Sequence, residues 1–487
     1  MKNYLILPVL FLLLWGCQEA GLNSSKAKTQ LTDDELARLA LLDNNYTILE
    51  ARGRDMALSL ASKFLDSKDG VKRTISSFVT VPSLYSITGK TLIKTDFAVS
   101  KPATPSLYVA NFNDHKGFVI LSADKRAPGI LAIVGSGAID STSHIGLRIF
   151  LENSMKHIDE KVAKTESFRG DAIFKSLVAK LQSNVNQNKS VDGGRVEQLA
   201  CTQNIITDPY NSVISTNYIT SPLLKTLWDQ GPPFNYGMPD AGCNSSGYCG
   251  GANTKYLAGC VPVAEGQVVA YFYARRNVGD WSSVTTAQTG CAFSGSQSSE
   301  VSSLLHNIYL DYGIYTSRTC AATAAGMQVA DISVTNPRGI SPPYGLNTGN
   351  WRSWNTGDMR NSLANGSPVV ICGNLNLCCF IYCWGCGEGH EWVVDGMRDI
   401  NMTTTYEVIT TYSGGSGNCP PNSVAYYTTT STINTQIHQN WGWGPGMGSD
   451  PNDWYNQDVF QSNIASTSTG DINFDHANYI VAYITPN

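Results

Sequence analysis

The residues with the most chemical promise begin at Cys260, in Ala258-Gly259-Cys260-Val261-Pro262-Val263-Ala264-Glu265-Gly266-Gln267-Val268. Ala264, Val268, Tyr271 and Phe272 recur at helical spacing, and Pro262 falls in the first turn, where its missing N–H is not needed. The spacing predicts a helix that Cys260 opens. A thiol there feels the positive end of the helix dipole, which favours thiolate, the nucleophilic form. The alternative is a buried thiol acting as a small hydrophobe. This segment alone does not separate the two.

A thiolate nucleophile needs an imidazole within reach, and the imidazole needs an orienting group. The back half offers His306, His390, His438 and His476. His306 lies on an amphipathic helical stretch and His476 in a polar turn. His390 differs, because Gly389-His390-Glu391-Trp392-Val393-Val394-Asp395-Gly396 leaves a Gly-rich turn and starts a strand. Alternation puts His390, Trp392 and Val394 on one face. In His438-Gln439-Asn440-Trp441-Gly442-Trp443-Gly444, Asn440 could accept from an imidazole N–H and Trp441 could shield that bond. In Trp228-Asp229-Gln230, the Gln230 amide could join the Cys260 backbone N–H in holding an oxyanion. The bland readings are a Trp-rich core turn and a solvated loop glutamine.

The elements that must position these groups divide the 487 residues into two unlike parts. Residues 1–199 carry 25 Lys+Arg against 20 Asp+Glu, and residues 200–487 carry 9 against 19, so a basic front half precedes an acidic back half. The net charge of −5 argues against a general nucleic-acid binder. In the front half, helical periodicity over 33–65 is followed by apolar runs over 104–138 that read as a β-meander, then by helical character over 146–186. Residues 187–200 are a polar linker. Beyond 205, helix signals lie early, at 260–276, 299–312 and 357–365, and strand signals late, at 367–373, 390–398, 404–412, 424–438 and 477–485. That order predicts an α+β protein.

The N-terminus reads as an export signal, with Lys2 before an apolar Leu5 to Leu14. Leu14-Trp15-Gly16-Cys17 resembles a lipoprotein lipobox, with Trp15 a departure from the usual small residue. The reading is a lipid on Cys17 and an outer-membrane or cell-surface location, with ordinary secretion as the alternative. There are thirteen cysteines; setting aside Cys17 and Cys260 leaves an odd number, so not all can pair within the chain. Cys243 and Cys249 flank a Gly-rich loop that they could close. A cluster at Cys372, Cys378, Cys379, Cys383 and Cys386 reads as disulfide bracing; zinc on Cys378, Cys383, Cys386 and His390 is the weaker alternative, since the spacing fits no common motif.

Four motifs taken together, Trp228-Asp229-Gln230 with Pro233-Phe234-Asn235, Gly259-Cys260-Val261, Gly389 to Gly396, and Asn440 to Gly444, are similar in order and spacing to the streptopain family of papain-like bacterial cysteine peptidases. Lys116-Gly117-Phe118-Val119-Ile120-Leu121-Ser122-Ala123-Asp124 and Pro128-Gly129-Ile130-Leu131-Ala132 resemble that family's pro-domain, so the likeness spans about residues 50–487. The resemblance implies a signal over 1–17, a tether over 18–45, a small α+β pro-domain with linker over 46–200, and a papain-like peptidase domain over 201–487. It further implies a zymogen that hydrolyses peptide bonds through an acyl-enzyme: Cys260 as nucleophile, His390 as base, Gln230 as oxyanion donor, Asn440 and Trp441 orienting and shielding His390. The partners would be protein or peptide substrates and the chain's own pro-domain as intramolecular inhibitor, with no cofactor, metal or nucleic acid, and membrane attachment only through Cys17. Glu265 one turn past the thiol and the 372–386 cysteines depart from the family pattern. An acyl-transferring or amide-cleaving enzyme, or a non-catalytic surface adhesin on the same fold, are the competing expectations.

Overall fold

A computed structural model describes residues 31–82, 85–88, 91–94, 105–127, 129–139, 145–186, 202–247, 249–311, 342–348, 352–375, 388–413, 422–429, 432–444, 452–460 and 479–486. The signal and lipobox, the linker 187–200, His476, and Cys378, Cys379, Cys383 and Cys386 lie outside these residues.

The front half begins, after a short capped turn at Asp33–Leu36, with helix α1 (Glu50–Leu60). Four antiparallel strands follow in meander order: β1 (Ile75–Pro82), β2 (Pro105–Phe112), β3 (Phe118–Ser122) and β4 (Ile130–Val134). Helices α2 (Ile145–Glu166) and α3 (Ala172–Asn186) complete it. In β2 the apolar run has two destinations. Tyr108, Ala110 and Phe112 meet Met56, Ala57 and Leu60 of α1, while Leu107 and Val109 meet Leu147, Phe150 and Ile158 of α2. A strand covered on both faces is apolar at nearly every position, which is why the β2, β3 and β4 segments read as unbroken hydrophobic runs.

The back half opens with a long strand, β5 (Thr202–Thr220). Helices α4 (Cys260–Arg275) and α5 (Gly295–Asp311) pack together, and α6 (Thr356–Ala364) follows, with Asn355 accepting from the Asp358 N–H as its cap. The remaining strands are β6 (Val369–Leu375), the 26-residue β7 (Glu388–Ser413), β8 (Ser423–Thr428), β9 (Thr432–Asn440), β10 (Trp454–Asn456) and β11 (Tyr479–Val481). Cys249 is joined to Cys291, so the loop closure expected through Cys243 is made instead to a partner 42 residues further on. Among the described residues no helix is long and apolar enough to cross a membrane.

The two halves share one sheet. Its antiparallel order runs β1–β2–β3–β4–β10–β9–β7–β6–β11, ending at a short strand Arg352–Ser353, and both β5 and β8 also pair with β7. The junction is β4 with β10, where Trp454 faces Ile133 and Tyr455 faces Ala132. One hydrophobic core crosses it, running from Val109, Ile120 and Phe150 to Trp392, Ile437, Trp441 and Tyr455. The mixed α and β content predicted from sequence is what the structure has, with the sheet more continuous than two separate domains would give.

Candidate functional site

Cys260 is the first residue of α4. The preceding Gly259 has φ +92°, in the region that favours glycine, and this bend carries the chain from its loop into the helix. The first turn is pressed from above by the Trp441-Gly442 turn; at Gly442, φ +75°, a Cβ would meet Val263 Cγ1 at 3.0 Å. The second turn carries Gln267, whose buried amide exchanges two 3.2 Å hydrogen bonds with Asn440. Asn440 Nδ2 also donates to the Thr226 carbonyl at 2.8 Å, and its Oδ1 accepts from the Gly442 N–H. Trp228 N donates to Gln267 Oε1 and Gly444 N to the Trp228 carbonyl. The structure therefore gathers the Trp228, Cys260 and Asn440 motifs around the start of one helix.

The interior of that junction is buried from solvent. Cys260 is 1% exposed. Burial pushes its thiol up to about 12, the Glu391 carboxyl group adds to this, and the backbone N–H groups of Glu391, Val261 and Cys260 pull only part of the way back. Helix-dipole stabilisation of a thiolate is thus outweighed by desolvation. Glu391 is itself fully buried and held well above the usual carboxylate range by that burial, with Glu265 raising it further. Directly across the sheet from Glu391 stands Cys372, which is also buried.

His390 occupies a different setting on the same strand. Val393 packs in the core around α4, whereas Trp392 and Val394 pack in the core that crosses to the front half. The His390 ring stacks on Trp392 at 5.7 Å and on Trp443 at 5.5 Å, and it is fully buried. Its Nε2 lies 2.9 Å from the Trp441 carbonyl. A carbonyl only accepts, so Nε2 carries a proton. The Asn440 amide expected to orient this ring is instead engaged by Gln267, Thr226 and Gly442. Gln230 is fully buried; its carbonyl accepts from Ala258 N at 2.8 Å, and among the described residues neither polar atom of its side chain has a hydrogen-bond partner.

Two contributors to this junction escaped the sequence reading. Gln267 carried a signal, an amide on the buried side of an otherwise apolar helix. Glu391 carried one only in retrospect, because carboxyl groups in apolar runs are ordinarily solvated. Among the described residues no group of three or more His, Cys, Asp or Glu could hold a metal ion; the cysteines of the zinc alternative fall outside those residues.

A model of the family described as Spi protease inhibitor matches residues 50–158. No curated protein matches the chain. The matched stretch is a structural unit, running from the first residue of α1 through the four-stranded meander into α2. It is a minority of the chain, so the likeness describes the front half. This finding overturns the expectation of a streptopain-type peptidase: the family matched is one of inhibitors. The readings of the chain as a cysteine endopeptidase, as a zymogen and as a hydrolase of any kind on the Cys260–His390 pair are corrected accordingly. In this structure burial and the Glu391 carboxyl group both disfavour the thiolate form of Cys260.

Proposed function

We propose that this chain is a protein inhibitor of proteases, with residues 50–158 as the inhibitory module. The observation that carries the reading is that the segment resembling the Spi protease inhibitor family forms a four-stranded meander whose last strand, β4, pairs with a strand from outside the module. The partners in this reading are proteases. The back half, an α-helical layer led by Cys260 against an antiparallel sheet, is read as a papain-like scaffold without a working nucleophile. In that scaffold Cys260, His390, Gln230, Asn440 and Trp441 brace the junction between helix and sheet. Export, with a lipid on Cys17 and display at the cell surface, belongs to the same proposal, and Cys17→Ser should then shift the protein from the membrane fraction to the soluble one.

The test is a titration of the intact protein against a panel of cysteine, serine and metalloproteases digesting casein. At least one protease should be slowed in a saturable, stoichiometric manner, and the Cys260→Ala variant should inhibit equally well. Casein digestion by the chain alone, or no protease slowed at any ratio, would overturn the reading.

A further inference from the structure

The β4 edge has a built recognition surface. Arg73, only 2% exposed in its side chain, donates from Nη2 to the Gly135 carbonyl at 3.2 Å and from Nε to the Lys116 carbonyl at 2.7 Å. These bonds fix the turn that ends β4 from within the module. Gly135 N–H is thereby aimed outward, and it donates to Asp453 Oδ2 at 2.7 Å. At the other end of β4 the Ile130 carbonyl accepts from Asn434 Nδ2 at 3.0 Å and from Asn456 Nδ2 at 3.4 Å. Between these two points the strand edge pairs with Trp454 and Tyr455.

The strand that sits there is also anchored in the back half. The Trp454 ring has the Arg398 guanidinium 4.4 Å over it and meets the rings of His438 at 5.3 Å and Tyr218 at 5.6 Å edge-on. His438 Nδ1 is fixed 2.6 Å from Asp395 Oδ1, and Asp395 Oδ2 accepts from Leu224 N. The module contributes backbone pairing, the Gly135 N–H to a carboxylate, the Ile130 carbonyl to amides, and the Phe150 ring, which meets the buried Tyr455 edge-on at 4.9 Å.

We infer that the β4 edge is the surface through which the module recognises a protease, and that β10 occupies it in cis, making the intact chain a partly masked inhibitor. The inference rests on the inhibitor reading above. The partner it fits is an extended protein segment that adds a strand to β4, carrying a carboxylate to reach Gly135 N–H and a side-chain amide to reach the Ile130 carbonyl. Strand addition supplies affinity through main-chain hydrogen bonds and specificity through such flanking contacts. The cis strand lowers the apparent affinity by the fraction of time that the edge is covered.

The test compares the intact protein, Asp453→Ala and Asp453→Asn against a protease that the wild type slows, with a synthetic peptide spanning residues 449–458 as competitor. Hydrogen exchange at the β4 amides confirms that each variant is folded and reports how open the edge is. The expected result is that Asp453→Ala opens the edge and inhibits about tenfold more tightly, that Asp453→Asn stays nearer wild type, and that the peptide relieves inhibition. Wild-type inhibition that Asp453→Ala leaves unchanged despite an opened edge, with the peptide inert, would overturn the inference and leave the inhibitor reading standing. No protease slowed by any of the three proteins would remove both.

Discussion

Cys260 shows how two opposing effects on one sulfur are decided by burial. Its position at the start of α4 favours thiolate by an amount on the order of 1 kcal/mol. Complete desolvation beside Glu391 works in the other direction and wins, leaving the thiol pushed up to about 12. The native protein should therefore resist iodoacetamide at Cys260 at pH 7.5, with reaction rising only as pH climbs toward that value, as peptide mass mapping would show. Rapid carboxymethylation of Cys260 at neutral pH in the folded protein would contradict this account of the site. The cysteine was legible as the opening residue of a helix. Its protonation was not, because Glu391 is remote in sequence and reaches it only through the packing of β7 against α4.

Among the elements, the α4–α5 contact depends on a close approach at one residue. A Cβ added at Gly266 would sit 2.3 Å from Leu305 Cδ2. Overpacking of this kind typically costs about 1–3 kcal/mol, so Gly266→Ala should lower the urea midpoint while leaving the circular-dichroism spectrum unchanged. The Cys249–Cys291 bridge closes a loop of 42 residues. On chain-entropy grounds such a loop is worth about 4 kcal/mol, and Cys291→Ser should show a loss of that order in the same measurement. Helices α4, α5 and α6 and strand β6 lie close to where periodicity placed them, whereas the two strands expected at 390–398 and 404–412 are one continuous β7, and the single run expected at 424–438 divides into β8 and β9. Strand β5 was missed, since Thr202–Thr220 contains Pro209 and many polar residues, and its strand character comes from pairing along β7. The β4–β10 junction was also illegible: two residue pairs separated by more than three hundred positions leave no local pattern. The motifs of the back half pointed to peptidase chemistry because residue types and order are visible in a sequence, whereas desolvation of a thiol is not.

Over the whole molecule, the shared core makes the two halves respond to acid together. His157 on α2 is 4% exposed, and burial pushes its imidazole down to about 4, with Lys161 adding to the shift and Asp458 of the back half opposing it. The unfolded chain would take up a proton near 6.5, which the folded chain refuses until about 4. Stability is thus full above pH 6.5 and falls as pH drops toward 4, by up to about 3 kcal/mol from this residue. Urea midpoints at pH 7, 5.5 and 4.5 should show that decline, and His157→Gln should flatten it. A steep acid limb retained in the variant would place the effect elsewhere.

The pairing of β4 with β10 also carries a consequence for biogenesis. The meander leaves the ribosome long before Trp454–Asn456 is translated. At about 5–20 residues per second, tens of seconds separate the two events. Throughout that interval the nascent front half displays a bare row of amides and carbonyls at Ile130–Val134, a template for joining neighbouring nascent chains. The polypeptide must be shielded during synthesis, or made sparsely enough that the last strand arrives before another copy does.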